Sequence, residues 1–211
     1  MEITWYGHAC FRLRGREGTV ITDPYQNASG YTLPRVRADI IAITNSHPNH
    51  SRRRGIRGQP LIVNGPGEYE IRGIFITGIA TYPKKKGGVQ DRNTVYLFEF
   101  GNLTVCHLGD LAQVPNQSQV EDLSDVDVLL IPVGGRCTIT ASQAAEVISL
   151  LEPRIVIPMH YRTKACKIPL DAVSKFLKEM GLKDLPPQES LKVTKSSLPE
   201  ETQVVILEYR Q

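Results

Sequence analysis

The chain has 211 residues, 41% hydrophobic and 22% charged, with a formal charge of +3. That length fits one domain, read here as 1–211, with room for a sizeable core, and so small a charge does not by itself imply a nucleic-acid partner. The opening Met1-Glu2-Ile3-Thr4-Trp5-Tyr6 lacks the basic and apolar regions of a signal peptide, and no apolar run nears the roughly 18 residues of a membrane span, so a cytoplasmic protein without a membrane partner is expected.

Residues 3–6, 10–13 and 19–22 alternate or run apolar, with Gly15 and Gly18 marking a turn, and predict an opening β-meander that ends at Asp23-Pro24. Between its first two strands, Gly7-His8-Ala9 puts an imidazole at a sheet edge. The β-branched run Ile40–Ile43 predicts a buried strand, and Thr44-Asn45-Ser46-His47-Pro48-Asn49-His50 follows as a loop with two imidazoles three positions apart. Strands are expected at 61–63, 68–71 and 74–79, with Asn64-Gly65-Pro66-Gly67 turning between the first two. The segments 94–100 and 103–108 form a hairpin across Gly101-Asn102. Helices are expected at 116–123, 141–151 and 170–180, and strands at 128–132, 155–159, 191–194 and 204–209. In the second helix Ala144, Val147, Ile148 and Leu151 share one face.

Ionisable residues recur just past the ends of apolar strands: His8, His47, His50, Asp110 and His160. The remaining histidine, His107, lies in the strand beside Asp110. Scattered core histidines would not track strand ends in this way, so a metal or catalytic cluster is expected there. The four cysteines, Cys10, Cys106, Cys137 and Cys166, show no C-x-x-C pair and are expected to be reduced and buried. Arg52-Arg53-Arg54 and Lys84-Lys85-Lys86 are either solvated loops or a positive cleft mouth that favours a small anionic substrate. Aromatic residues that would stack on single-stranded nucleic acid do not interleave with them.

Several segments, in order, resemble the metallo-β-lactamase superfamily, in particular its branch related to ascorbate-6-phosphate lactonases. They are Ile3–Phe11, Asp23-Pro24, Asn64–Glu70, Arg92-Asn93-Thr94, His107–Leu111, Ile131–Gly135 and Ile157–Tyr161. The resemblance implies an α/β, four-layer αββα sandwich, with two mixed β-sheets face to face, helices on both outer sides and the site along one edge. It also implies a metal-dependent hydrolase acting on an ester, lactone or phosphoester, and self-association as a homo-oligomer.

The metal loop departs from the family pattern H-x-H-x-D-H. Asn45 stands for its first histidine, Asn49 for its aspartate, and the position of a further histidine falls near Pro83. A first metal would keep His47, with Asp110 as a bridge, which is too few ligands for a stable Zn²⁺ site. A second would keep His50, His160 and Asp110, a competent set for one Zn²⁺, Mn²⁺ or Fe²⁺. His8 is placed to add a ligand or to transfer a proton, and Asp110 serves either as ligand or as base. Gly134 and Gly135 form a tight turn or bind substrate through their backbone N–H groups. Three readings stay open: a hydrolase with one divalent metal, a non-catalytic member of the fold without metal, and a nucleic-acid-processing relative.

Overall fold

The structure, a computed structural model, describes residues 1–25, 30–51, 55–82 and 92–211. The expected meander forms as β1 (Glu2–Trp5), β2 (Phe11–Arg14) and β3 (Thr19–Thr22), each antiparallel to the next. β4 (Ile40–Ile43) is buried at every position, as a β-branched run covered on both faces must be, and pairs parallel to β3. β5 (Leu61–Asn64) pairs parallel to β4.

Beyond a tight turn come β6 (Gly67–Ile71), β7 (Ile74–Thr81), β8 (Asn93–Phe100) and β9 (Leu103–His107), successively antiparallel. The chain then changes to parallel pairing, with β10 (Val128–Pro132) beside β9 and β11 (Ile155–Met159) beside β10. Two short strands, β12 (Leu191–Lys192) and β13 (Gln203–Val204), complete the sheets. Their orders are β12-β1-β2-β3-β4-β5 and β13-β11-β10-β9-β8-β7-β6. The two mixed sheets pack their apolar faces into one core, to which Trp5, Phe11, Val20, Ile40, Phe98, Val105 and Leu129 all belong.

Of three α-helices, α1 (Gln117–Asp122) and α2 (Ala141–Leu151) occupy crossovers of the second sheet, and α3 (Val173–Glu179) follows β11 on the way to β12 of the first. Right-handed crossovers between successive parallel neighbours put α1 and α2 on one face of that sheet, and α3 packs beside α2. Helix α2 buries Ala141, Ala144, Val147, Ile148 and Leu151, the stripe its periodicity predicts. Its N-terminus is fixed by a capping box between Thr140 and Gln143. On the outer side of the first sheet, a smaller cluster with Ile21, Tyr25, Tyr31 and Val36 covers the strands, and no helix lies there among the described residues.

Most element ends shift by a residue or two from expectation, and three shifts have a visible local cause. Helix α3 starts at Val173 rather than 170, because Asp171 N–H donates to Gly134 O and Ala172 bridges to Arg162, which holds that stretch extended. The strand expected at 191–194 closes after Lys192, where Thr194 opens a 3-10 turn. The strand expected at 204–209 keeps a ladder only at Gln203–Val204, and Leu207 and Tyr209 make single bridges to Gln188 and Trp5.

The sheet arrangement decides where chemistry can collect. β1, β3 and β4 run in one direction, so His8, Asp23 and the loop after Ile43 emerge at one edge of the first sheet. β9 and β11 deliver Asp110 and His160 from the second sheet. Antiparallel β8 begins at the same edge, and its Asn93 pairs with Thr81 at the end of β7.

The sheets are tied together near this edge by Tyr96 of β8. Its hydroxyl accepts from Gly65 N–H at 2.8 Å and donates to Ile43 O at 3.0 Å. Tyr96→Phe strands both buried backbone groups, and a loss of about 1–3 kcal/mol in unfolding free energy is expected from urea titration. A loss under about 0.5 kcal/mol, within the range of ordinary surface changes, would show that the tie carries no stability.

Candidate metal centre

The site begins with three turns in unusual backbone conformations. His8, Asp23 and His160 have φ of 52°, 40° and 52°, in the left-handed region that Asp and His tolerate better than most side chains. Such conformations cost about 1–3 kcal/mol each and persist only where the surroundings impose them. Here the surroundings do so. His8 O accepts from Trp5 Nε1–H at 3.0 Å and from His160 N–H at 3.2 Å, which joins the turns after β1 and β11. A Cβ on Gly134 would lie 2.0 Å from His160 O, so only glycine permits the chain to pass there.

The imidazoles of His8, His50 and His160 converge at this junction. One ligand nitrogen from each lies within 4.8 Å of the other two, and all three residues are buried. The ring of His8 sits 4.2 Å from that of His160 and 4.8 Å from that of His50, centroid to centroid. Asp110 reaches between the others, with Oδ2 3.0 Å from His50 Nε2 and Oδ1 3.3 Å from His160 Nε2. Asn93 holds Asp110 in place: its Oδ1 accepts from Asp110 N–H at 2.9 Å, and its Nδ2 donates to Leu108 O and Thr81 Oγ1, both at 3.0 Å.

Behind His50 lies Asp23, fully buried. Its Oδ1 accepts from Thr44 N–H at 2.8 Å, and its Oδ2 lies 2.9 Å from His107 Nε2. Asp23 Oδ2 is also 3.1 Å from His50 Nδ1, off the line of a hydrogen bond, so that contact is one of charge and proximity. The buried carboxylate thus acts on the His50 ring by charge, in the place where a carboxylate ordinarily orients a metal-ligating imidazole through a hydrogen bond.

The charges follow from the geometry. Burial would lower the His50 pKa, but Asp110 and Asp23 outweigh it and push it up to about 10. Burial would likewise raise Asp23, yet His50 and His107 bring it down to about 2. Asp110 is held well below the usual carboxylate range, since His50 and His160 overcome the effect of burial. Burial, with repulsion from His160 and His50, drives His8 well below the ordinary imidazole value. His160 is lowered by burial against the pull of Asp110. Two neutral imidazoles and a firmly ionised carboxylate are therefore present at neutral pH, beside a third imidazole whose positive charge the carboxylates stabilise.

These residues fit a divalent cation. Buried His8 Nδ1, His160 Nδ1 and Asp110 Oδ1 have no hydrogen-bond partner. Two ligands about 2.0–2.1 Å from a tetrahedral Zn²⁺ stand about 3.3 Å apart, close to the 3.0 and 3.3 Å between Asp110 and the two imidazoles. The centre opens on a cleft of about 470 Å³ whose wall includes Asn45, Asn49, Tyr82, Arg92 and Cys137. A larger groove of about 850 Å³, bordered by Asp127, Arg154 and Lys195, brings no such cluster together, and Lys195 there is bound to Asp127 at 2.8 Å.

A family model, the beta-lactamase superfamily domain, matches residues 2–160. The chain belongs to the metallo-β-lactamase superfamily. A Thermotoga maritima protein of this superfamily, described as a proposed Zn-dependent hydrolase, is 36% identical in sequence. The match has a TM-score of 0.83 and covers 98% of this chain and 97% of that one. A UPF0173 protein of Pyrococcus furiosus is 27% identical over 92% of this chain and 100% of its own length. A UPF0173 metal-dependent hydrolase of Thermoplasma volcanium is 28% identical over 77% of this chain and 84% of its own.

Within this superfamily frame, the structure brings together His8, His50, His160 and Asp110 of the residues expected at the site. His47 is not in the converging group. It is exposed at the cleft wall, where its Nδ1 accepts from Asn49 N–H at 3.2 Å. Asn45 spends its Oδ1 on His47 N–H at 3.0 Å, an Asx-type turn that a histidine there would not make. Pro83, Arg52–Arg54 and Lys84–Lys86 lie outside the described residues. Gly134 and Gly135 do not line the described cleft. They are buried, their carbonyls accept from Asp171 and Thr138, and Gly134 leaves room for the His160 carbonyl. Cys10 and Cys106 are buried as expected, but Cys137 is exposed to the cleft and Cys166 is half-buried. Glu68 and Glu70 are exposed on β6, away from the cleft wall.

Asp23 and Asn93 were not anticipated as site residues. The usable signal was topological: Asp23 ends a strand parallel to the one before the histidine loop, and Asn93 starts the strand antiparallel to the one before Asp110. Gly134→Ala is expected to displace His160 and to weaken Zn²⁺ affinity about 10-fold or more, read by competition with a chromogenic chelator. Unchanged affinity in a folded variant would detach Gly134 from the centre.

Proposed function

We propose that this chain is a hydrolase dependent on one divalent cation, Zn²⁺ or Mn²⁺ first and Fe²⁺ next, held by His8, His50 and His160 with Asp110. The observation that carries the reading is the convergence of three buried imidazoles on one point with a carboxylate between two of them. When bound, such an ion supplies Lewis-acid polarisation of a substrate oxygen and a lowered pKa for water. The substrate class is an ester, lactone or phosphoester, as in the lactonase-related branch that the sequence resembles.

The protein's own groups divide the remaining work. Asp23 keeps the His50 ring turned toward the centre, and Asn93 keeps Asp110 at the cleft floor. Asp110 is too well stabilised as an anion to hold a proton at neutral pH, so it serves as ligand and as acceptor of a hydrogen bond that orients the attacking water. His8, neutral and buried, is assigned to binding rather than to proton transfer. The replacements at Asn45 and Asn49 support a single ion, because neutral amides are poor substitutes for the imidazole and carboxylate that would complete a second position.

Three tests follow from this assignment. Protein purified without chelators and reconstituted should hold about one divalent ion per chain by elemental analysis; His50→Ala and His160→Ala should each lower the content, and the double variant, left with two protein ligands, should abolish it, since three are the working minimum. Wild-type protein that retains no ion would remove the hydrolase reading and favour a binding protein. The double variant Asn45→His, Asn49→Asp should raise the content toward two ions per chain, with His47 recruited. No gain would mean that this loop does not face a second position.

A further inference from the structure

The charge balance of the cleft has a remainder. Asp110 is the one carboxylate lining the cleft among the described residues, and it is committed to His50 and His160. Asp23, the other carboxylate near the centre, is sealed behind His50. A divalent cation would be neutralised by these two anions, and Arg92 would then be left over. Arg92 lines the cleft, is half-buried, and makes no ion pair or side-chain hydrogen bond among the described residues.

Its placement is well defined. Arg92 immediately precedes Asn93, the residue whose buried side chain anchors Asp110 and grips Thr81 and Leu108 O. The backbone that carries the guanidinium is therefore fixed to the same anchor as the carboxylate. The guanidinium end lies over the Gly65 turn, where a Cβ on Gly65 (φ 127°) would come 3.4 Å from Nη2. The remaining lining holds no second cation to neutralise a ligand at this wall among the described residues, apart from the histidines. It does hold polar groups such as Asn45, Asn49 and Gln113, whose buried Oε1 has no partner. A guanidinium without a partner among the described residues, in a partly desolvated wall, is matched by a planar or tetrahedral oxyanion that accepts two parallel N–H bonds.

We infer that Arg92 is a specificity-determining residue that binds an anionic group of the substrate, a carboxylate or a phosphate, while the neutral ester or lactone bond faces the histidine centre. This rests on reading the cleft as the substrate site. It narrows the class to substrates with a fixed negative group a short way from the scissile bond.

The test is read by binding rather than turnover, so it stands whether or not hydrolysis is found. Benzoate and phenyl phosphate are titrated calorimetrically into metal-loaded and metal-free protein, with benzamide as the neutral counterpart. Wild type should bind at least one anion about 10-fold or more tighter than benzamide, and the one preferred identifies the source of the charge. Arg92→Gln should remove that preference and leave benzamide binding and ion content unchanged, while Arg92→Lys should keep part of it. Thermal melting of each variant establishes that it is folded. A preference that survives in Arg92→Gln, or a wild type that binds neither anion better than benzamide, overturns the inference. Loss of ion content in wild type, with the anion preference intact, would instead count against the hydrolase reading alone.

Discussion

The Asp23 carboxylate is the interaction around which the centre is built. It has no exposure to solvent, and an isolated buried charge is strongly unfavourable unless neighbours compensate it. The compensation comes from three chain segments: the Thr44 amide and hydroxyl at the end of β4, His107 on β9, and His50 in the histidine loop. One group thus joins the first sheet to the second and orients a candidate ligand at the same time. Its own backbone is left-handed, which locates local strain at the point where the sheets meet.

Close backbone approach is the second requirement. The turns that carry His8 and His160 share a hydrogen bond, and Gly134 admits the His160 carbonyl into space that any side chain would fill. Gly109, with φ 56°, does the same for Asp110, since a Cβ there would meet Asn93 Oδ1 at 2.5 Å. The glycines flanking the site are therefore part of its geometry even though they do not line the cleft. The outcome is a centre with little freedom to rearrange, as precise ligand placement requires.

The altered histidine loop changes what the superfamily fold offers. With amides at Asn45 and Asn49, the loop is held by its own Asx turn and by the Asn49 N–H to His47 Nδ1 bond, and His47 is turned to other use. The centre shifts toward His8, which comes from the first turn of the chain, and the cleft in front of it keeps Arg92 as an unpaired cation among its described lining. The proposals of a single-ion hydrolase and of an anion-selective wall both rest on that arrangement.

Local pattern in the sequence carried most of the strands, the apolar stripe of α2, and the placement of His8, His50, Asp110 and His160 at strand ends. These follow from periodicity and turn chemistry, which act over a few residues. The resemblance of its motifs carried the two-sheet architecture. Tertiary structure alone decided which ionisable groups meet. His8 and His160 are far apart in the chain, and their rings are brought to 4.2 Å only by strand order and a shared backbone hydrogen bond. The same holds for the exclusion of His47, the burial of Asp23 beneath His50, and the Gly134 contact. Each depends on pairing between distant strands, and on backbone conformations that local preference disfavours and packing imposes.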